Sequence, residues 1–543
     1  MITKEEWKIF RGSKETPDHI MLSINGDAAH TMTVTWRADV GISNGYALYR
    51  KKGTDEWQRA DAEVERFDSD MDSSNIFWAH MNALEASTEY EYTCGNDRFR
   101  SQIYSFATSE ENPESFEFLC LTDIQHGAAE PPADYSELNG IIKDILKAHP
   151  DVKFILTAGD NTNCGQTDIQ WTGLFDGLKG IIEWLPFMMA LGNHDDMGFE
   201  NYFEYKNKYY SEKAEYFSKQ FRGSYPYNGP EDWKTANYAF NYGNSLFCVI
   251  GTSGPEFVND WLVETAKNSD RTWKFGSHHF PICYQGNCLA CEDSYPMMRE
   301  GMEKFDVIFS GHEHCFSRSS FPRRNENLYD RPSEGTIFYN MGSGHRNPCR
   351  LLATPKLWNC AYYAHEEELS MYSIVKVEDK KLTLTSYLEG DKIVDQCVID
   401  KETDSIYPIA LAPVFSAPRM IFKGADLGIS AKALPCEKIN GTWFAPAAVL
   451  FRYIGFDVRM TEGAVTIDAY GHRATFTEGS PTVTTENGSF EMAEAVKRLH
   501  RGQLYVPTEG IVKAFGLRCE IFERNNILSF EHESESIPIP VQP

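Results

Sequence analysis

A chain of 543 residues that is 42% hydrophobic and 13% aromatic has material for two to four domains with sizeable cores, which excludes a mainly disordered protein. Its formal charge of −27 repels nucleic acid and anionic membrane surfaces at long range, so no nucleic-acid binding surface is expected. The opening residues, Met1 to Lys8, alternate in charge where a signal peptide would be apolar, and no run is apolar enough to span a bilayer. The 13 cysteines, odd in number and scattered, read as thiols and not as a disulfide framework. As it stands the chain reads as cytoplasmic; a trimmed leader would make it secreted or cell-surface.

Residues 19 to 110 carry short β-rich runs punctuated by turn residues: Ile20–Ile24, Met32–Trp36, Tyr46–Tyr49, Ile76–His80 and Tyr90–Thr93. Their spacing predicts an all-β sandwich. Leu84 followed by Tyr90 resembles the tyrosine corner of immunoglobulin-like and fibronectin type III sandwiches, in which a buried phenol caps a loop.

From Phe116 the texture changes to buried strands alternating with amphipathic helices. The run Phe116–Leu121 leads into Asp123, Gln125 and His126, and Leu138, Ile141, Ile142, Ile145 and Leu146 then fall on one helical face. Val152–Leu156 leads into Gly159-Asp160-Asn161-Thr162-Asn163, and Pro186–Leu191 into Gly192-Asn193-His194-Asp195. Trp273–Ser277 ends in His278-His279-Phe280-Pro281, and Val307–Phe309 in Ser310-Gly311-His312-Glu313-His314. Five strands thus end in Asp, Asn, Gln or His, usually beside glycine. In α/β folds sites form at the carboxyl ends of strands, so these side chains should converge.

A proline-bearing linker is expected near residues 401–418, and beyond it lies an internal repeat. Trp443-Phe444-Ala445-Pro446 and the stretch to Gly455 match Leu504-Tyr505-Val506-Pro507 and the stretch to Gly516, an offset of 61 residues. Each unit reads as a β run, a helix opened by proline and stopped by glycine, and a β pair. Two such units should pack together to bury what neither covers alone. The expected organisation is a sandwich over 1–112, an α/β domain over 113–400, the linker, an α+β repeat-built accessory domain over 419–535 and a tail over 536–543.

Asp123, Asp160, Asn193, His279, His312 and His314, with Gln125 as a further candidate, form a mixed oxygen and nitrogen donor set. That number of donors suits two divalent ions sharing a carboxylate, a pair that can bind a phosphate and generate hydroxide near neutral pH. His194, beside Asn193, is the natural general acid for the departing alkoxide.

At these residues the chain resembles the calcineurin-like metallophosphoesterases, specifically the purple acid phosphatase-like branch. The pattern Asp-x-His or a variant, Gly-Asp-x-x, Gly-Asn-His-Asp/Glu, His-x-Pro and Gly-His-x-His falls at 123–125, 159–162, 192–195, 279–281 and 311–314. The resemblance covers roughly residues 19 to 400 and implies an N-terminal fibronectin-like domain and a four-layer αββα phosphoesterase domain. It implies Asp160 as bridging ligand, with Asp123, Gln125 and His314 on one metal and Asn193, His279 and His312 on the other. The implied function is hydrolysis of phosphate esters by in-line attack of a metal-bridging hydroxide, in the first place on monoesters. The alternatives are a phosphodiesterase acting on nucleotides, and a non-catalytic binding module with a vestigial metal site.

Two departures bear on the metals. Asn163 stands where the purple enzymes place an iron-binding tyrosine, and Gln125 offers a neutral amide where many relatives have histidine. The first argues against an iron-tyrosinate centre, and the second implies a looser site or one suited to harder ions such as Mn or Mg, with Fe and Zn as the other candidates. The C-terminal repeat is similar to the copper amine oxidase N-terminal-like, or stalk, domain, which implies a non-catalytic module able to bind a protein or cell-wall glycan. Secondary candidates are His126 and Arg346 as phosphate contacts, His278 as a substrate contact, and Cys283, Cys288 and Cys291 as zinc ligands. For each the plain alternative is a surface, packing or salt-bridge role.

Overall fold

The N-terminal strands form two four-stranded sheets. One runs in the order Asp18–Ser23, Met32–Asp39, Ser73–Met81, Glu63–Asp68; the other in the order Gln58–Asp61, Tyr46–Lys51, Glu89–Gly95, Tyr104–Ala107. Between them Trp36 stacks on Phe77 at 5.3 Å, and Tyr90 stacks on Phe106 at 5.6 Å. The Tyr90 hydroxyl accepts from the Glu85 amide at 2.8 Å, which is the expected corner. Polar, exposed edge strands such as Gln58–Asp61 and Glu63–Asp68 carry no hydrophobic alternation, and the sequence reading passed over them.

The structure is a computed structural model; it describes all residues except 1–2, 127–132, 197–213, 232–233, 253, 283–296, 323–331, 348–358, 364–368, 412–418, 423–424, 427–433, 454, 523–526 and 533–543. The sandwich packs directly on the α/β layers and forms one compact unit with them. The buried Tyr92 hydroxyl donates to the Glu183 carbonyl at 2.7 Å, and the Leu22 amide to the Ile182 carbonyl at 2.8 Å. Ahead of the sandwich, a helix over Lys4–Phe10 is closed by a capping box between Thr3 and Glu6, and its Trp7 indole donates to the buried Asp168 at 2.9 Å.

Two sheets make the α/β body. The first has seven strands in the order Phe187–Met189, Val152–Thr157, Ser115–Leu121, Met371–Glu378, Lys381–Leu388, Lys392–Asp400, Ser405–Leu411. Its first three strands are parallel and the rest are added antiparallel. The last strand corrects the expected linker: residues 405–411 extend the sheet, and residues 412–418 lie outside the described residues. Within the same compact unit the second sheet runs Tyr238–Tyr242, Ser245–Ile250, Trp273–His278, Val307–Ser310, Gly335–Met341, Phe316–Pro322, parallel from Ser245–Ile250 through Gly335–Met341.

Aromatic side chains lock the two sheets face to face. Phe118 of the first lies edge-on to Phe247, Phe275 and Phe309 of the second, with centroids 5.2, 5.6 and 6.1 Å away. Each such burial contributes about 1.5–3 kcal/mol, with about 0.5–1.5 kcal/mol more per well-placed pair. The result fixes the carboxyl ends of both parallel sets against one another. Helices such as Ser136–Ala148, which buries Leu138, Ile142 and Ile145, cover the outside and complete the four layers.

The C-terminal repeat, taken by itself, folds as the offset predicts. Strand Thr442–Ala445 precedes helix Ala447–Tyr453, and strand Leu504–Pro507 precedes helix Thr508–Phe515. The two strands pair antiparallel, Phe444 opposite Pro507 and Ala445 opposite Val506, and Phe451 of one helix meets Phe515 of the other at 4.6 Å. The two units therefore share one hydrophobic core.

Candidate metal centre

The strand-end loops of both sheets are stitched together by main-chain hydrogen bonds. Asp123 donates to the Gly159 carbonyl, Gln125 to the Asp160 carbonyl, Gly311 to the His279 carbonyl and Gly344 to the Thr122 carbonyl, all at 2.7–3.0 Å. Asp123, Asp160, His312 and His314 sit at positive φ of 50°, 53°, 72° and 57°. A non-glycine residue in that region costs on the order of 1 kcal/mol, so four of them in one rim mark a place where side-chain direction outranks backbone comfort. The glycine of Gly-His-x-His serves close approach: a Cβ on Gly311 would stand 1.9 Å from Thr122 Oγ1 and 2.3 Å from Asp123 Oδ2.

One part of the rim is a tight donor cluster. Asp160, His279 and His312, all buried, place one ligand atom each within 4.8 Å of the others. His279 Nε2 lies 3.0 Å from Asp160 Oδ2 and His312 Nδ1 2.9 Å from Asn193 Oδ1. The other ring nitrogen of His279 is bonded to the Ala158 carbonyl at 2.8 Å, which fixes the ring and aims Nε2 inward. Although close to Asp160, that Nε2 makes no hydrogen bond of acceptable geometry. A buried nitrogen so placed suits a cation better than a proton. Burial pushes the Asp160 carboxyl up, but the charges of His279, His194 and His312 outweigh it and hold it below the carboxylate range. Burial likewise disfavours charge on His279, and Asp160 outweighs that and raises it.

The other part is organised differently. Both Asp123 carboxylate oxygens accept the His312 amide, at 3.0 and 2.8 Å, Thr122 Oγ1 donates to one of them at 2.9 Å, and His314 Nε2 is 3.2 Å from the other. The Gln125 side chain is buried, and the amide orientation that satisfies it directs nitrogen to the Asp123 and Asp160 carbonyls at 3.2 and 2.9 Å. That leaves its oxygen as the ligand atom on offer.

His194 joins the tight cluster from the side. Its amide donates to Asp160 Oδ1 at 2.8 Å, its Nδ1 is 2.9 Å from the Asn163 carbonyl, and its Nε2 is 3.9 Å from Asp160 Oδ2. Asn163, at the position that departs from the purple enzymes, thus serves through its main chain by orienting His194.

The sequence reading gave no role to Asp195, the last residue of Gly-Asn-His-Asp. It is fully buried and accepts from Asn161 N, Asn161 Nδ2, Thr162 N, Thr162 Oγ1 and Gly192 N, clamping the Asp160 and Asn193 loops together. Burial and the Asp160 charge push its carboxyl up to about 6 against those donors. Its position within the motif was the available signal; its direction away from the donors was not legible.

Among the secondary candidates, His278 is buried on the other side of its strand, 3.4 Å from the Ile250 carbonyl. Arg346 is bound by Glu389 and Glu137, an ordinary salt bridge. Cys283, Cys288 and Cys291 lie outside the described residues.

Comparison with known proteins concerns the domains and the fold. Residues 17–108 match the purple acid phosphatase N-terminal domain and residues 116–316 the calcineurin-like phosphoesterase domain. Purple acid phosphatase 15 of Arabidopsis thaliana is 25% identical over 50% of this chain and 54% of its own length. Probable inactive purple acid phosphatase 27 of the same plant is 21% identical over 57% of this chain and 58% of its own. This chain therefore spans little more than half the length of the curated relatives it matches. Among solved structures, purple acid phosphatase PPD1 from yellow lupin (Lupinus luteus) superposes with a TM-score of 0.57 at 18% identity, over 73% of this chain and 78% of that one. A PhoD structure gives 0.50 at 11% identity, over 74% and 93%. The fold is shared with both, and the chain joins a purple acid phosphatase N-terminal domain to a calcineurin-like metallophosphoesterase domain.

Proposed function

We propose that this protein is a metal-dependent phosphoric ester hydrolase and, within that class, a phosphomonoesterase. The observation that carries the reading is the buried cluster of Asp160, His279 and His312, with its inward-aimed, unbonded His279 nitrogen. Asp160, Asn193, His279 and His312 would hold one divalent ion, and Asp123, Gln125 and His314, sharing Asp160, the other; the ions are drawn from Mn, Fe, Zn or Mg. When bound, such ions supply Lewis acidity to the phosphoryl oxygens and make water acidic enough to act as nucleophile near neutral pH. His194 holds a proton for the departing alkoxide, its ring fixed by the Asn163 carbonyl so that Nε2 carries the exchangeable proton. Asp195 keeps the Asp160 and His194 loops in register while that happens.

The test is metal content and turnover on one sample, with each ion added back, using nitrophenyl phosphate beside bis-nitrophenyl phosphate. Faster turnover of the monoester, lost on chelation and restored by one ion, supports the reading. Preference for the diester moves the assignment to a phosphodiesterase. A second reading is favoured by the relatives named probable inactive purple acid phosphatase 24 and 27: a binding module whose metal site is vestigial. Absence of turnover with every ion on both esters would select it.

The accessory domain is assigned a binding role, toward a protein or a cell-wall glycan. Cys94, Cys120, Cys164, Cys248 and Cys436 are free and buried, which supports a reducing compartment. No helix among the described residues is long and apolar enough to cross a membrane.

A further inference from the structure

His126 directly follows the loop that carries Asp123 and Gln125, and the structure gives it a setting unlike that of a solvated surface residue. Its amide donates to the Tyr135 hydroxyl at 3.2 Å, and that hydroxyl donates to the carbonyl of Asn161, next to Asp160, at 2.9 Å. Its ring is 5.7 Å from that of His345 and 6.3 Å from that of Tyr135, and His345 in turn stacks on Tyr135 at 5.9 Å. Tyr135 is fully buried and His345 nearly so. The His345 loop is itself pinned to the donor rim, because Ser343 Oγ donates to the Asp123 carbonyl at 2.9 Å and Asn347 Nδ2 to the Asp123 and Gln125 carbonyls at 2.9 and 3.1 Å. Three rings thus form a wall beside the loop that carries Asp123 and Gln125.

Within that wall His126 Nδ1 is buried without a partner while the residue as a whole stays partly exposed. A buried N–H with nothing to accept it is costlier than a buried lone pair, so the proton belongs on Nε2, on the side that reaches the surface. A packing role would not need this arrangement, since an apolar ring would fill the same place without stranding a nitrogen. We propose that His126 is a substrate-contacting residue that donates from Nε2 to a phosphoryl oxygen, with Tyr135 and His345 as positioning residues that fix its ring. The inference rests on the phosphoesterase reading for its ligand and adds a second imidazole to the substrate site beside His194. It concerns affinity for the phosphoryl group, not departure of the alcohol.

The experiment uses the full metal-loaded chain, inorganic phosphate as a calorimetric probe and nitrophenyl phosphate for kinetics. His126→Ala is expected to weaken phosphate binding and raise KM by about tenfold, with kcat nearly unchanged and metal content kept. His126→Gln, which keeps a donor, should restore part of the loss. His345→Ala should weaken phosphate by a smaller factor, and His345→Phe, which keeps the ring contact, should restore it. Unchanged phosphate affinity and KM in His126→Ala overturn the proposal, and so does loss of metal from that variant, which would make His126 a support for the donors. If the wild type binds phosphate but turns over neither ester, the hydrolase reading falls while the titration still decides His126. A wild type that binds no phosphate overturns both.

Discussion

The two parts of the donor rim are built on different principles. Around Asp160 the donors are pressed together: carboxylate, amide and two imidazoles lie within one coordination sphere's reach. Around Asp123 the carboxylate is already engaged by an amide and a hydroxyl, its imidazole neighbour is His314, and the third ligand proposed is the neutral Gln125. Asp160 also accepts an amide, that of His194, but the Asp123 carboxylate takes a hydroxyl in addition and has one imidazole beside it where Asp160 has two, so its set binds a cation less tightly. The two metals should therefore differ, with the ion at Asp160, Asn193, His279 and His312 held more firmly.

The variant expected to break this comparison most severely is Asp160→Ala, which removes the carboxylate common to both parts. It should lower turnover by at least about a thousandfold and cost both metals, read by elemental analysis and nitrophenyl phosphate assay. Asp195→Asn comes next. It leaves every donor in place but loosens the clamp between the Asp160 and Asn193 loops, so turnover should fall about 10–100-fold with metal content nearly intact. Gln125→His sharpens the contrast from the other side: an imidazole in place of the amide should raise Zn or Fe affinity at the weaker site about tenfold and leave the tighter site unchanged, as measured by competition with a chelator.

The smallest effect lies far from the rim. Burial pushes the Asp168 carboxyl up to about 6, against the pull of Arg37 and the Trp7 bond. The folded state then holds this proton more tightly than the unfolded chain, so the group's contribution to stability is greatest below about pH 4 and is lost as pH rises through about 6. Asp168→Asn, which can still accept from Trp7, should raise stability at pH 7 by about 1–3 kcal/mol, flatten the profile between pH 4 and 6, and leave turnover alone. Unfolding in denaturant at a series of pH values is the check.

Much of this was legible in the chain because metal chemistry admits few residue types. Asp, Asn and His at the ends of apolar runs identify the donors without any contact information, and the 61-residue offset identifies the C-terminal repeat. What was not legible follows from geometry. Polar edge strands of the sandwich have no alternation to read, and the antiparallel strands from Met371 to Leu411 enlarge the first sheet without touching the centre. The positive φ at His312 and His314, and the close approach that needs glycine at 311, arise from loops packed against one another and have no local signal. Asp195 and Tyr135 act through hydrogen bonds to loops distant in sequence, and no local pattern announces such partners.

The claim that the centre is dinuclear and unequal is tested most directly by stepwise chelation of the metal-loaded protein, with metal content and turnover measured at each step. The account predicts about two equivalents per chain that leave in two stages, the first removing most activity and shifted to stronger chelator by Gln125→His, the second disrupting the Asp160 cluster. A single equivalent, or two that leave together with Gln125→His showing no effect on either, would contradict it.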